Sequence, residues 1–235
     1  METEHDLTLH LIRHGQTIFN FQDKVQGWSD TPLTEEGRTV AARLGKGLKS
    51  RRIDAIYSSD SGRAIETATL IREHSEKTDL ELITSKGLRE MYFGTFEGGP
   101  NPILWNKVRE ELGQKDREGI SRAEAEIDEI CQTVSILDPE AEDWKAYTER
   151  LFAALQAIVD DALEKGHQDV YIVSHGLSIR VILHVLKYRE GYLKIENTSI
   201  SELLYKAGTF SSFGSINNTE LLVVDEEAQL QDTQK

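Results

Sequence analysis

The chain has 235 residues, with 27 Lys+Arg against 41 Asp+Glu, so its formal net charge is −14 with histidine neutral. At 38% hydrophobic and 29% charged residues it has a globular balance, and it is long enough for one large domain without disulfide or metal staples. The acidic excess argues against nucleic acid or an anionic membrane as the main partner, but leaves room for a small anion in a locally basic pocket.

In chain order, Leu7, Leu9 and Leu11 alternate with Thr8 and His10 and predict a strand running into Arg13-His14-Gly15. A loop rich in turn-formers and aromatics follows, through Phe19, Asn20, Phe21, Gly27 and Trp28. Thr34 is a helix N-cap with Glu35 and Glu36 in its first turn, and Val40, Ala41, Leu44 and Leu48 keep helical spacing. Ile53–Tyr57 reads as a strand that ends in the turn Ser58-Ser59-Asp60. Ala64, Ile65, Ala68 and Ile71 mark a helix, and Leu80–Thr84 a third strand. From about Gly98 to Asp143 the rhythm breaks. This stretch is charged, carries the turn signals Gly98-Gly99-Pro100-Asn101-Pro102 and Asp138-Pro139, and reads as a helical insertion over the strand ends.

Tyr147, Leu151, Ala154, Leu155, Ile158 and Ala162 form the stripe of a long amphipathic helix. Val170–Val173 is a continuous apolar run, as in a central parallel strand buried on both faces. The helix after it, Leu177–Leu186, is apolar nearly all round. Ser201–Tyr205 and Glu220–Val224 are late strands, and a polar tail spans residues 225–235. Strands alternating with helices predict one domain over residues 1–235, a three-layer α/β/α sandwich. Its sheet is mostly parallel with one antiparallel edge strand. Pairing of edge strands near Ser201–Tyr205 leaves a homodimer open. Cys131 is the single cysteine, Met1–Asp6 lacks a signal-peptide pattern, and no apolar run approaches the roughly 18 residues of a membrane span. A soluble, cytoplasmic protein is expected. Asn197-Thr198-Ser199 and Asn217-Asn218-Thr219 are formal glycosylation sequons, coincidental in that compartment.

Ligands of open α/β sheets bind outside the carboxyl ends of the strands. Two strands end alike here, in Arg13-His14-Gly15 and Ser174-His175-Gly176. If those strands are neighbours, the two histidines face one pocket. Arg63 begins the helix after the second strand, and Glu90 follows the third, so both arrive at the same edge. Arginine forks match phosphate oxygens, a histidine can attack phosphorus, and a carboxylic acid can protonate a leaving oxygen.

These motifs resemble the histidine phosphatase superfamily, in its phosphoglycerate mutase-like branch. Arg13-His14-Gly15-Gln16-Thr17 with Asn20, the stretch Gln26–Gly37, Ser58-Ser59-Asp60 through Arg63 to Ala68, and Ser174-His175-Gly176 carry the resemblance, from about Leu7 to Val224. It implies that His14 is the phosphorylated nucleophile. Arg13, Arg63 and His175 then hold the phosphoryl oxygens with help from Asn20, and Glu90 is the proton donor. Gln26, Gly27, Met91 and Tyr92 fall at the substrate. No metal and no cofactor is implied. The chemistry asks for a neutral His14, a cationic His175, and a protonated Glu90 partly buried among Met91, Tyr92 and Phe93.

Mutases of this family carry an E-R-H-Y-G stretch at the acid and a later Arg-Arg pair. Here the stretch is Glu90-Met91-Tyr92-Phe93-Gly94, without those cations, and Phe93–Gly98 is similar to the F-G-x-[WL]-E-G pattern of broad-specificity phosphatases. The expected activity is hydrolysis of small phosphate esters, with the ester or inorganic phosphate as ligand. A cofactor-dependent phosphoglycerate mutase is the alternative, and a silent phosphate-binding module the third reading. Lys107, Arg109, Lys115, Arg117 and Arg122 read as a solvated face of the insertion. Phe21, Trp28, Met91 and Phe93 are expected to form an apolar rim suited to an apolar or aromatic ester group.

Overall fold

The computed structural model describes residues 6–113, 126–188 and 193–222. Its six strands are β1 (Leu7–Arg13), β2 (Ala55–Ser59), β3 (Leu82–Ser85), β4 (Asp169–Ser174), β5 (Ile200–Lys206) and β6 (Thr209–Phe213). They lie in the order β3-β2-β4-β1-β5-β6. β3, β2, β4 and β1 run parallel, and β5 returns antiparallel to β1. The helices are α1 (Ile18–Phe21), α2 (Glu35–Gly47), α3 (Gly62–His74), α4 (Asn101–Glu111), α5 (Ile127–Leu137), α6 (Trp144–Glu164) and α7 (Gly176–Val185).

The period of two in the central strands builds three layers. Leu7, Leu9 and Leu11 of β1 and Val170 and Ile172 of β4 enter one core with α4, α5, α6 and α7. Ile12, Tyr171 and Val173 point the other way, into a core with Leu44 and Leu48 around α2 and Ala64, Ala68 and Ile71 of α3. Both faces of these strands are covered, hence the continuous apolar run of β4. Thr34 caps α2 by accepting from the Gly37 backbone. The described part of the insertion forms α4 and α5. Their Leu104, Val108, Ile130, Cys131 and Val134 belong to the larger core, so the insertion packs into the main body.

The antiparallel edge is a hairpin, and one expected strand is misplaced. Thr209–Phe213 is the edge strand, whereas Glu220–Leu222 is turn and irregular chain. Ala207 and Gly208 both take positive φ (51° and 80°), the backbone of a tight two-residue hairpin turn, and this turn sets the pairing. β5 therefore lies inside the sheet, and the exposed edge belongs to β6. Val223, Val224 and the polar tail lie outside the described residues. Among the described residues, no helix is long and apolar enough to cross a membrane.

Candidate active site

β1 and β4 are paired neighbours with Arg13 opposite Ser174, so the residues that follow them, His14 and His175, leave the sheet side by side. The His14 N–H donates to the Ser174 carbonyl at 2.9 Å. The two rings meet edge to face with centroids 5.2 Å apart. Gly15 permits this exit, because a Cβ there would stand 2.8 Å from the Gly37 carbonyl oxygen. A Cβ on Gly176 would press on the Arg13 guanidinium at 3.2 Å.

Arg63 reaches the pair from the first turn of α3 and is fully buried. Its Nε donates to His14 Nε2 (3.2 Å), and one terminal nitrogen donates to the Ser29 carbonyl (3.0 Å) and Asp30 Oδ1 (2.9 Å). The other donates to the Gly27 carbonyl (2.8 Å) and His175 Nδ1 (2.9 Å). All five guanidinium N–H groups thus have an acceptor, which answers the cost of burying a cation.

This contact set fixes both tautomers, because arginine only donates. His14 Nε2 must hold a lone pair, so its proton lies on Nδ1, which donates to the Gly15 carbonyl at 2.8 Å. His175 Nδ1 must also hold a lone pair, so its proton lies on Nε2. That Nε2 is buried and has no partner among the described residues. Burial first, then the Arg63 and Arg13 charges, hold His14 well below the usual histidine range. Burial, Arg63 and His14 do the same to His175. The expectation of a cationic His175 is therefore corrected. With Arg63 against its Nδ1, it is a neutral N–H donor.

Glu90 lies on the segment after β3 and is 6% exposed. Its Oε1 accepts from the Met91 N–H (3.1 Å), the Ser178 N–H (3.0 Å), the Ser178 hydroxyl (3.0 Å) and the Tyr147 hydroxyl (2.7 Å). Its Oε2 accepts from the Leu177 N–H at 2.9 Å. Two of these donors open α7 directly after His175, so the helix that presents the histidine also seats the acid. The surroundings differ from the expected apolar pocket. Polar donors hold the carboxyl, while Met91 and Phe93 turn into the core.

Several expected residues serve structure. Met91 is fully buried and Phe93 nearly so, which removes both from the rim. Phe21 stands 76% exposed. Tyr92 packs against Trp28 with ring centroids 5.2 Å apart. Gln26 accepts from Thr17 Oγ1 and donates to Thr31, so its side chain braces the loop. Gly27 holds Arg63 through its carbonyl. Asn20 accepts from the Thr17 N–H, and Thr17 from the Asn20 N–H, closing a capping box at α1. Among insertion cations, Lys107 stacks over Phe96 and Arg109 bonds Asn106, while Lys115, Arg117 and Arg122 lie outside the described residues.

Other partners escaped sequence reasoning. Glu97 gathers the N–H groups of Gly27, Trp28, Ser29 and Phe93 and the Ser29 hydroxyl. It thereby ties down the loop whose carbonyls hold Arg63. Arg150 of α6 donates to the carbonyls of Gly87, Arg89 and Glu90 and pairs with Glu142, clamping the segment that carries the acid. Asn197, set aside as part of a sequon, donates to the His14 carbonyl at 2.8 Å. The F-G-T-F-E-G stretch contained the signal for Glu97. For Arg150 and Asn197 no local pattern existed.

A model of the histidine phosphatase superfamily (branch 1) matches residues 9–218. A "Broad-specificity phosphatase" of Saccharomyces cerevisiae is 32% identical over 204 residues, covering 85% of this chain and 80% of that protein. A "Probable phosphoglycerate mutase GpmB" of Yersinia pestis is 29% identical over 212 residues, covering 88% of this chain and 89% of its own length. A crystal structure of a phosphoglycerate mutase from Bacillus anthracis superposes with a TM-score of 0.87 at 36% identity, covering 93% of this chain and 96% of that one. With the family model spanning nearly the whole fold and both histidines inside it, the chain belongs to the histidine phosphatase superfamily.

Proposed function

We propose that the protein is a metal-independent phosphomonoesterase that works through phospho-His14. The observation that carries this reading is the Arg63 bridge, which leaves His14 Nε2 with a lone pair and His175 Nε2 with a proton unpartnered among the described residues. Nε2 of His14 attacks phosphorus, and the bond from phosphorus to the ester oxygen breaks. Glu90 gives its proton to that oxygen and releases the alcohol. Water then attacks the phosphohistidine while Glu90 takes one of its protons, which yields inorganic phosphate and restores both groups. Arg63 Nε loses its acceptor when Nε2 bonds to phosphorus, so that N–H turns to a phosphoryl oxygen. His175 donates to another. Arg13 supplies further positive charge, and the two arginines do the neutralising that a metal would otherwise do, with His175 as a neutral donor.

His14→Ala removes the nucleophile. We expect no phosphoryl label on the protein after brief incubation with a radiolabelled ester, and hydrolysis of p-nitrophenyl phosphate lower by roughly 10⁴-fold or more. Wild-type hydrolysis that survives in the variant would refute the covalent route.

A second reading, phosphoglycerate mutase, has one observation in its favour. Lys86 and Arg89 both lie over the Trp28 ring, at 5.1 and 4.9 Å from its centroid, and could meet a substrate carboxylate. Arg89 is already bound bidentately by Asp60, which weighs against it. A coupled assay of phosphoglycerate interconversion primed with bisphosphoglycerate separates the two. Interconversion outrunning hydrolysis would replace the phosphatase reading.

A further inference from the structure

Glu90 has two oxygens with unequal surroundings. Oε1 faces two backbone N–H groups, those of Met91 and Ser178, which cannot turn away. It also meets two hydroxyls, Tyr147 and Ser178, that lie 2.8 Å from each other. Oε2 meets the single Leu177 N–H. Tyr147 is fully buried in α6, far along the chain from the acid. Burial and the Glu90 charge push its hydroxyl well above the usual phenol range, so it keeps its proton and remains a donor.

We infer that Tyr147 and Ser178 are positioning residues that saturate Oε1 of Glu90 and so reserve Oε2 as the oxygen that carries the catalytic proton. The inference rests on the phosphatase reading above. A proton on Oε1 would point into a shell of fixed N–H donors, whereas a proton on Oε2 has one donor to avoid. Each hydroxyl has one proton. Tyr147 donates to the carboxyl, while the Ser178 hydroxyl has three acceptors in reach: Oε1, Tyr147 and the Arg89 carbonyl at 3.2 Å. Each of these arrangements keeps the Tyr147 O–H aimed at Oε1. Without these hydroxyls the carboxyl can rotate or take its proton on the wrong oxygen, and the acid then serves the leaving group poorly.

The test uses leaving groups that need the acid to different degrees. p-Nitrophenolate departs with little protonation, whereas the alkoxide of glycerol 2-phosphate requires it. We would measure kcat/KM, which reports the first chemical step, for both esters in wild type, Tyr147→Phe and Ser178→Ala. The expected result for Tyr147→Phe is a loss of about tenfold on glycerol 2-phosphate, part of the roughly 10²–10⁴-fold that general acid catalysis supplies. p-Nitrophenyl phosphate should change by less than about threefold, with inhibition by inorganic phosphate unchanged. Ser178→Ala should move the ratio the same way, and it carries the test alone if Tyr147→Phe does not fold. In a Glu90→Gln background the Tyr147→Phe change should leave the ratio where it is. A merely structural role would lower the melting temperature and depress both esters in proportion, and that result overturns the inference. Wild-type ratios in both variants also overturn it. Failure of the wild-type protein to cleave either ester overturns the phosphatase reading and this inference together.

Discussion

The site has two sides built on different plans. On the side we propose for the phosphoryl group, residues next to strand ends meet directly, with Arg63 between His14 and His175 and every N–H of its guanidinium in use. On the side we propose for the acid, Glu90 is held by donors from two helices, α6 and the start of α7, and from its own segment. One side concentrates charge in one buried cation. The other spreads positioning over neutral donors. Damage should therefore be abrupt on the phosphoryl side and graded on the acid side.

The sharpest way to break that contrast is Arg63→Ala. It removes the donor to both histidines and should cost about 2–4 kcal/mol of transition-state stabilisation, read as a fall in kcat/KM. Arg63→Lys should restore little, because an ammonium cannot span two imidazoles and three oxygens in one plane. A lysine variant with near-normal kcat/KM would show that charge alone suffices. On the acid side, Glu90→Gln should slow hydrolysis of alkyl esters while leaving inhibition by phosphate nearly intact. Equal losses in both would mean the two sides are not separable.

Glu97→Gln comes next. The new amide would face N–H groups that an oxygen now accepts, at a cost of about 1–3 kcal/mol. Because Glu97 holds the loop under Arg63, we expect a lower melting temperature and weaker inhibition by phosphate, with the alkyl-to-aryl ester ratio unchanged. A shift in that ratio would place Glu97 with the acid.

The buried histidines give a pH signature. Both are held neutral, so below the unfolded histidine value near 6.5 the unfolded chain binds protons that the folded chain refuses. Their contribution is present above that pH and is lost as pH falls toward the depressed folded values. The slope approaches about 1.4 kcal/mol per pH unit for each histidine. Urea unfolding at several pH values below neutral should show this slope, and His175→Asn should flatten it. The smallest effect is expected at Met91. Met91→Leu should change stability by less than about 1.5 kcal/mol and leave substrate preference alone. A changed preference would return Met91 to the rim.

The two plans also differ in how they are written along the chain. Arg13-His14-Gly15 and Ser174-His175-Gly176 were legible because strand, turn and histidine are contiguous, and β4 announced itself as buried on both faces. Arg63 could be placed from its position just past β2. Tyr147, Arg150, Ser178 and Asn197 could not, because each meets its partner across 57 or more residues. Tyr147 looked like one more member of a helical stripe, and its hydroxyl carried no periodicity. Met91 and Phe93 were misread as rim because apolar residues beside a polar one look alike whether the chain turns inward or outward. The hairpin of β5 and β6 was missed because its signal is two turn residues, Ala207-Gly208, between short strands.

By itself the sequence determined the layered α/β class, two histidines just past strand ends, and an arginine and a carboxylate at the same sheet edge; that the two histidine strands are neighbours was decided by the fold. The former follow from patterns of a few residues governed by backbone period and turn chemistry. The tertiary structure alone decided the protonation geometry, with both histidines neutral and oriented by one guanidinium, and the seating of Glu90 among hydroxyls and a helix start. Those depend on which donors meet which acceptors after distant segments pack. Donor direction in a buried site is a property of the fold, because only there is water absent and each N–H and O–H left with a single place to go.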